Sequence, residues 1–286
     1  MTMGCCRKCL PLFYFSSHTL TSLTITSGTG PFREFQNSLN FPSLTNLSLR
    51  FFAFHSSDDK GYVDPFSSFK CLNTLIIDRC SVDDEDNLSI SSVTLVNLTI
   101  KTYGSYKFEL STPNLCSFDF TGNPIQKLNK SNNNFSSIKH VHIDVHIGLF
   151  DEKHPLILLN WLTQLGLIES LTVSSKTLEI LDLVRDLWII DFPCLHNLKS
   201  LRIKMYKHLP IPHGVDDFLL QNAPSAEKSV IDLSYNFAFK FLKARWRILP
   251  RYFFGALVFP RDWNKLECNN YQNFVKGNIS LTGEHV

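Results

Sequence analysis

Leu95-Val-Asn-Leu98-Thr-Ile100 is the stretch that decides how this chain folds. Its apolar residues stand first, fourth and sixth. Leu98 and Ile100 are two apart, so on an extended strand they share one face, while Asn97, Thr99 and Lys101 take the other. The phrase recurs in both directions. Toward the N-terminus it reads Leu72/Leu75/Ile77, Leu44/Leu47/Leu49 and Leu20/Leu23/Ile25. Toward the C-terminus it reads Leu115/Phe118/Phe120, Ile138/Val141/Ile143, Ile168/Leu171/Val173 and Leu198/Leu201/Ile203. The intervals are roughly 20–30 residues, the range of solenoid repeats.

The residues beside these leucines were not chosen by the pattern, so they test it. They are Ser22, Thr24, Thr26; Asn46, Ser48, Arg50; Thr74, Ile76, Asp78; Asn97, Thr99, Lys101; Ser117, Asp119, Thr121; His140, His142, Asp144; Ser170, Thr172, Ser174; and Ser200, Arg202, Lys204. Ile76 is the only apolar member, in a chain that is 44% hydrophobic. One strand face is therefore core and the other meets water. Period and phrase together are the signature of a leucine-rich repeat. The expected fold is α/β: a solenoid with a curved parallel sheet, and helices or loops on its outer face. A solenoid unit buries its apolar face only against its neighbours, which also lets 286 residues fold without one oversized core.

The repeats divide the chain into a tail or partial first repeat (1–17), a repeat domain (18–233) and a divergent segment (234–286). Up to about residue 150 each unit reads as strand, turn and connecting segment, with polar loops at Ser56–Gly61, Asp83–Asn87 and Asn129–Ser137. Beyond it the repeats lengthen. Pro155–Leu162 lacks strand alternation and reads as a helix, and Thr177–Leu187 reads as a helix or a degenerate strand, the helix being preferred. Asp216–Asn222 reads as a short helix, with an acid at its start and Pro224 just past its end. Past Leu233 the register is lost. Residues 234–286 mix aromatic and basic side chains, including Phe237, Arg245, Trp246, Arg247 and Phe253, and are read as a cap rather than an RNA-binding element.

The net charge of +2 gives no electrostatic case for nucleic acid. No stretch approaches the ~20 apolar residues that span a bilayer, and Leu10–Phe15 is too short and too Pro-broken for a signal peptide. The eight cysteines are scattered and are read as reduced thiols, which suits a cytoplasmic or nuclear location. Cys80 lies three residues after Ile77, where leucine-rich repeats place Asn or Cys with its side chain turned inward; Asn123 holds the same place after Phe120. Asn46-Leu-Ser, Asn87-Leu-Ser and Asn97-Leu-Thr match glycosylation acceptors but read as polar/Leu/polar strands.

His140, His142, Asp144 and His146 share one strand face by period two. His-x-His is a metal spacing, but one strand does not complete a site. Asp119 and Thr172 are the nearest partners on adjacent strands. No metal and no cofactor is expected. No phosphate loop or nucleophile elbow is legible either, so the expectation is binding, not catalysis. The candidate partner-binding residues are His140, His142, Asp144, Thr172, Arg202 and Lys204, with Ser170, Thr172 and Ser174 as a small polar floor.

The run Leu171-Thr-Val-Ser-Ser-Lys-Thr-Leu-Glu-Ile-Leu-Asp-Leu-Val-Arg-Asp-Leu187, with Phe192-Pro193, Leu195-His-Asn-Leu-Lys-Ser-Leu201 and Val215-Asp-Asp-Phe-Leu-Leu-Gln-Asn-Ala-Pro-Ser-Ala226, resembles the later repeats of plant F-box/leucine-rich-repeat proteins. Phe41-Pro-Ser-Leu-Thr-Asn-Leu47 and Pro113-Asn-Leu115 fit the same family. The resemblance implies a substrate-binding repeat domain of a Skp1–cullin–F-box ubiquitin ligase, whose partner is a protein. Skp1 itself is expected as a partner only of a longer form, because no F-box is legible in residues 1–17. The FBD-type C-terminal domain of many relatives is not recognisable either, and the chain reads as a truncated or rearranged member.

Overall fold

A computed structural model describes residues 17–233, apart from short loop segments (28–32, 36–39, 56–60, 83–86, 103, 105, 127, 129–134, 147–152, 185–186, 191 and 207–209), together with 279–282. The eight phrases each form a strand: β1 Ser22–Thr26, β2 Asn46–Arg50, β3 Thr74–Asp78, β4 Asn97–Lys101, β5 Ser117–Gly122, β6 His140–Val145, β7 Ser170–Ser174 and β8 Ser200–Met205. A ninth, β9 (Glu227–Asp232), was not among the expected strands. All nine are parallel and lie side by side in chain order. A last strand, β10 (Ile279–Thr282), runs antiparallel on the free edge of β1.

The register brings like positions together. Leu23, Leu47, Leu75, Leu98, Phe118, Val141, Leu171 and Leu201 form one column across the sheet, and Ile25 to Ile203 form a second. Every apolar residue of the eight phrases is buried, from Leu20 at 9% exposure to Leu198 at 0%. Period two therefore places the core as read.

Strand starts repeat one hydrogen-bond device. Thr21 O accepts from both Thr45 N and Asn46 N, and Thr45 O accepts from Asn73 N and Thr74 N. The same forked bond recurs at Asn73, Val96, Cys116, Lys139 and Glu169. Side chains reinforce it: Thr45 Oγ1 donates to Thr21 O, Asn114 Nδ2 to Val93 O and Ser137 Oγ to Pro113 O.

Strand ends repeat another. Phe51, Arg79 and Gly122, each one residue past a fifth strand position, have positive φ of 61°, 54° and 153°. At Gly122 a Cβ would lie 2.6 Å from Thr102 Cγ2, so only glycine fits there. Phe51 is held by its N–H to Asp78 O and by the guanidinium groups of Arg50 and Arg79 over its ring.

The layer behind the sheet changes midway. In the first half it contains short parallel strands: Tyr62–Val63, Asn87–Ser91 and Phe108–Ser111 form one three-stranded sheet, and Arg33–Glu34, Phe52–Phe54 and Ser81–Val82 another. Of these connecting segments only Asn87-Leu-Ser had a strand pattern in the sequence; helices or loops were expected on this side of the sheet. In the second half it contains helices α1 (Lys153–Gln164), α2 (Ser175–Asp182) and α3 (Val215–Gln221); α1 and α3 lie within two residues of the expected spans, whereas α2 ends five residues before the expected Leu187. Among the described residues no helix is long and apolar enough to cross a membrane.

Cys80 turns inward as its spacing predicts. Its thiol donates toward Leu49 O and Asp78 O, and burial pushes it up to about 12. Of the segment 234–286, only Ile279–Thr282 is described, so the reading of this segment as a cap lies otherwise outside the described residues.

Candidate functional site

The strand pattern puts one polar side chain in every second position on the face opposite the core. Over β1 and β2 these are mostly small and neutral. Charge gathers from β4 to β8. In one row across the sheet stand Thr99, Asp119, His142, Thr172 and Arg202; in the next stand Lys101, Thr121 and Asp144, then Ser174 and Lys204. The parallel register thus assembles side chains from five different repeats.

Asp119 and His142 meet across neighbouring strands, Oδ1 to Nδ1 at 2.9 Å. On the other side of the ring, His142 Nε2 lies 2.9 Å from Lys204 Nζ. Lys204 stands two strands from His142, so its side chain reaches over β7 to make this bond. An ammonium can only donate, so Nε2 holds the lone pair and the ring proton sits on Nδ1, facing Asp119. The hydrogen-bond network thereby sets the imidazole between a carboxylate and an ammonium, its N–H toward the first and its lone pair toward the second. Burial by itself would raise the Asp119 carboxyl. The hydrogen bond and charge of His142, with Lys101 and Lys204, outweigh it and hold the group below its ordinary value.

Asp144 departs from the expectation of an accessible binding residue. It is on the predicted face but only 6% exposed. Tyr206 Oη donates to its Oδ2 at 2.7 Å, and His146 Nε2 lies 3.6 Å from the same oxygen. Its Oδ1 is buried and has no hydrogen-bond partner among the described residues. Burial, then the carboxylate beside it, pushes the Tyr206 hydroxyl up, which keeps its proton in this bond.

Ser174 is likewise no part of an accessible floor. It is fully buried as the N-cap of α2, its Oγ accepting from Thr177 N at 3.1 Å. Thr177 Oγ1 in turn donates to Ile143 O and accepts from Val145 N. The helix starts at the end of β7 and draws that end of the face inward. Thr172 and Ser170 are half-buried and do form a low floor between β6 and β8.

His140 and Arg202 are exposed. Arg202 has no hydrogen-bond or ion-pair partner among the described residues. At the rim, Glu169 bridges Lys139 (3.4 Å) and Lys199 (2.9 Å), and their ammonium groups hold its carboxyl below the ordinary range. The pairs are exposed and contribute little to stability.

Two contributors were missed from the sequence. Tyr206 continues the alternation of Arg202 and Lys204, which was the available signal. Lys101 belongs to the polar column already read. Chemically the assembly is a proton-holding chain, Asp119–His142–Lys204. It has the acid–imidazole pair of a general base, but Lys204 occupies the nitrogen that would accept a proton from a nucleophile. Among the described residues no three His, Cys, Asp or Glu side chains gather into a metal site. No protein-family model, no curated protein and no solved structure matches this chain.

Proposed function

We propose that the chain is a leucine-rich-repeat solenoid whose polar strand face, from β4 to β8, recognises a protein partner. The observation that carries this reading is the placing of Lys101, Asp119, His142, Thr172, Arg202 and Lys204, from five repeats, on one face. A parallel sheet of repeats offers a broad surface, and the exposed Arg202 suits paired hydrogen bonds to a carboxylate. The catalytic alternative draws no support from a base whose acceptor nitrogen is occupied. The role is binding without catalysis.

The test is capture by the immobilised chain. Proteins retained by the wild type are expected to be lost with Arg202→Ala, and kept with Lys176→Ala on α2. Arg202→Ala should cost about 1–3 kcal/mol if the side chain is desolvated on binding. Loss confined to Lys176→Ala would defeat the assignment of the face.

The further reading, as the substrate-binding part of a Skp1–cullin–F-box ligase, is supported by the resemblance of residues 168–226 alone. The alternative is a stand-alone binding module. Purified Skp1 mixed with the 286-residue chain is expected to give no stoichiometric complex on gel filtration; a one-to-one complex would favour the ligase reading and direct attention to residues 234–286.

A further inference from the structure

We infer that the β4–β8 face docks a carboxylate-rich protein segment, and that acidification strengthens the docking because protonation of His142 frees Lys204 to join Arg202. The inference rests on the reading of this face as a recognition surface, and it names the partner's chemistry and its control. Charge complementarity supports the partner. The acids of the face are engaged, Asp119 by His142 and Asp144 by Tyr206 and His146. The exposed charges are Lys101 and Arg202, with His140 and His146 beside them, and Lys204 is half-buried over His142. A segment carrying carboxylates meets cations there and displaces no acid.

The control follows from the two bonds of one ring. His142 gives its Nδ1 proton to Asp119 and takes a proton from Lys204 at Nε2. A second proton on the ring must go to Nε2, the only lone pair left. Lys204 then loses its acceptor and faces a like charge at 2.9 Å. Asp119 gains a full ion pair with the imidazolium, so the ring stays and the lysine leaves. Arg202 and Lys204 are two apart on β8 and point to the same side, roughly 7 Å from each other. Once released, they form a pair of cations for neighbouring carboxylates. The groups facing His142 are Lys101 from β4, Asp119 and Thr121 from β5, His140, Asp144 and His146 from β6, Thr172 from β7, and Arg202, Lys204 and Tyr206 around β8. Lys139, Glu169 and Lys199 lie at the rim. His140 and His146 are exposed at the two ends of the same strand and do not hold Lys204, so they supply the background against which His142 is measured.

The experiment uses the full chain and fluorescein-labelled hexaglutamate, read by polarisation at about pH 7.5 and about pH 5.5 at constant ionic strength. The wild type is expected to bind about tenfold tighter at the lower pH. His142→Gln offers an amide N–H for Asp119 and a carbonyl for Lys204 but cannot titrate; its gain should fall below about threefold. Lys204→Ala should bind weakly at both values, and His140→Gln should keep most of the gain. A tenfold gain retained in His142→Gln, or lost in His140→Gln instead, overturns the switch. Absence of hexaglutamate binding at both values overturns the acidic partner. A protein captured through Arg202 but not displaced by hexaglutamate overturns this inference and leaves the recognition reading standing, whereas capture indifferent to Arg202→Ala defeats that reading itself.

Discussion

Leu98→Asp is expected to unfold the repeat domain, whereas Thr99→Asp next to it leaves it folded. Leu98 is 1% exposed at the centre of the sheet, between Leu75 and Phe118 of the neighbouring strands. Removing the leucine side chain alone costs about 2–5 kcal/mol. The carboxylate put there has no partner, and the combined loss is about 5 kcal/mol or more, comparable with the whole stability of many domains. Thr99 points to the opposite face and is half-buried beside Ile76 and Asp119. An aspartate there meets the like charge of Asp119, for about 1 kcal/mol at most. Thermal and urea melts of the two variants decide it. Equal losses would mean that the strand register is wrong.

Trp161→Ala is expected to lower stability by about 3–5 kcal/mol. Trp161 is fully buried on α1, where the layer behind the sheet changes from strands to helices. Its ring stacks edge-on against Phe120 at 4.8 Å and meets Phe108 at 6.0 Å and Phe118 at 6.2 Å. Phe118 and Phe120 belong to the main sheet and Phe108 to the short strands, so one side chain of α1 ties the sheet to both halves of the layer behind it. Its Nε1 also donates to Gln126 O at 2.6 Å. Trp161→Phe keeps most of the apolar contact but leaves that carbonyl unpaired, for about 1–3 kcal/mol. Urea midpoints should rank wild type above Trp161→Phe above Trp161→Ala. A Trp161→Ala protein as stable as the wild type would contradict the packing described.

The core was legible because its signal is a strict period. Each Leu-x-x-Leu-x-Leu phrase commits three side chains inward, and parallel pairing aligns them with the next phrase. Helices α1 and α3 were legible from length and from Asp216 and Pro224 at the ends. The other backing strands, of two to four residues, were not, because so few carry too little alternation to separate them from loops. Asn87-Leu-Ser had the strand pattern but no leucine ahead of it to set a phrase. Strand β9 was missed for the opposite reason: all six of its residues are exposed, so no apolar column marks it.

The site was legible in part. Period two placed His142 beside Asp119, and they bond. Spacing carries no information on reach, so the bond from Lys204 over β7 had no signal. The burial of Asp144 and Ser174 follows from the start of α2 at the end of β7 and from Tyr206 folding back. Both are tertiary events at strand ends, where alternation no longer decides exposure.

The sequential strand order has a consequence for how the chain folds. Pairing offsets within the parallel sheet run only from 20 residues, Asn97 to Ser117, to 30, Ser170 to Ser200. Loop-closure entropy grows with the logarithm of length, so these steps differ by roughly 0.4 kcal/mol. Topology therefore privileges no strand pair as the nucleus, and the choice passes to side chains, among which the aromatic cluster around Trp161 is the densest. A chain emerging from synthesis can close each pairing before the next strand is made. The antiparallel seat of Ile279–Thr282 on Ser22–Thr26 is the exception: it pairs segments far apart in the chain, and it can form only after Thr282 has been made.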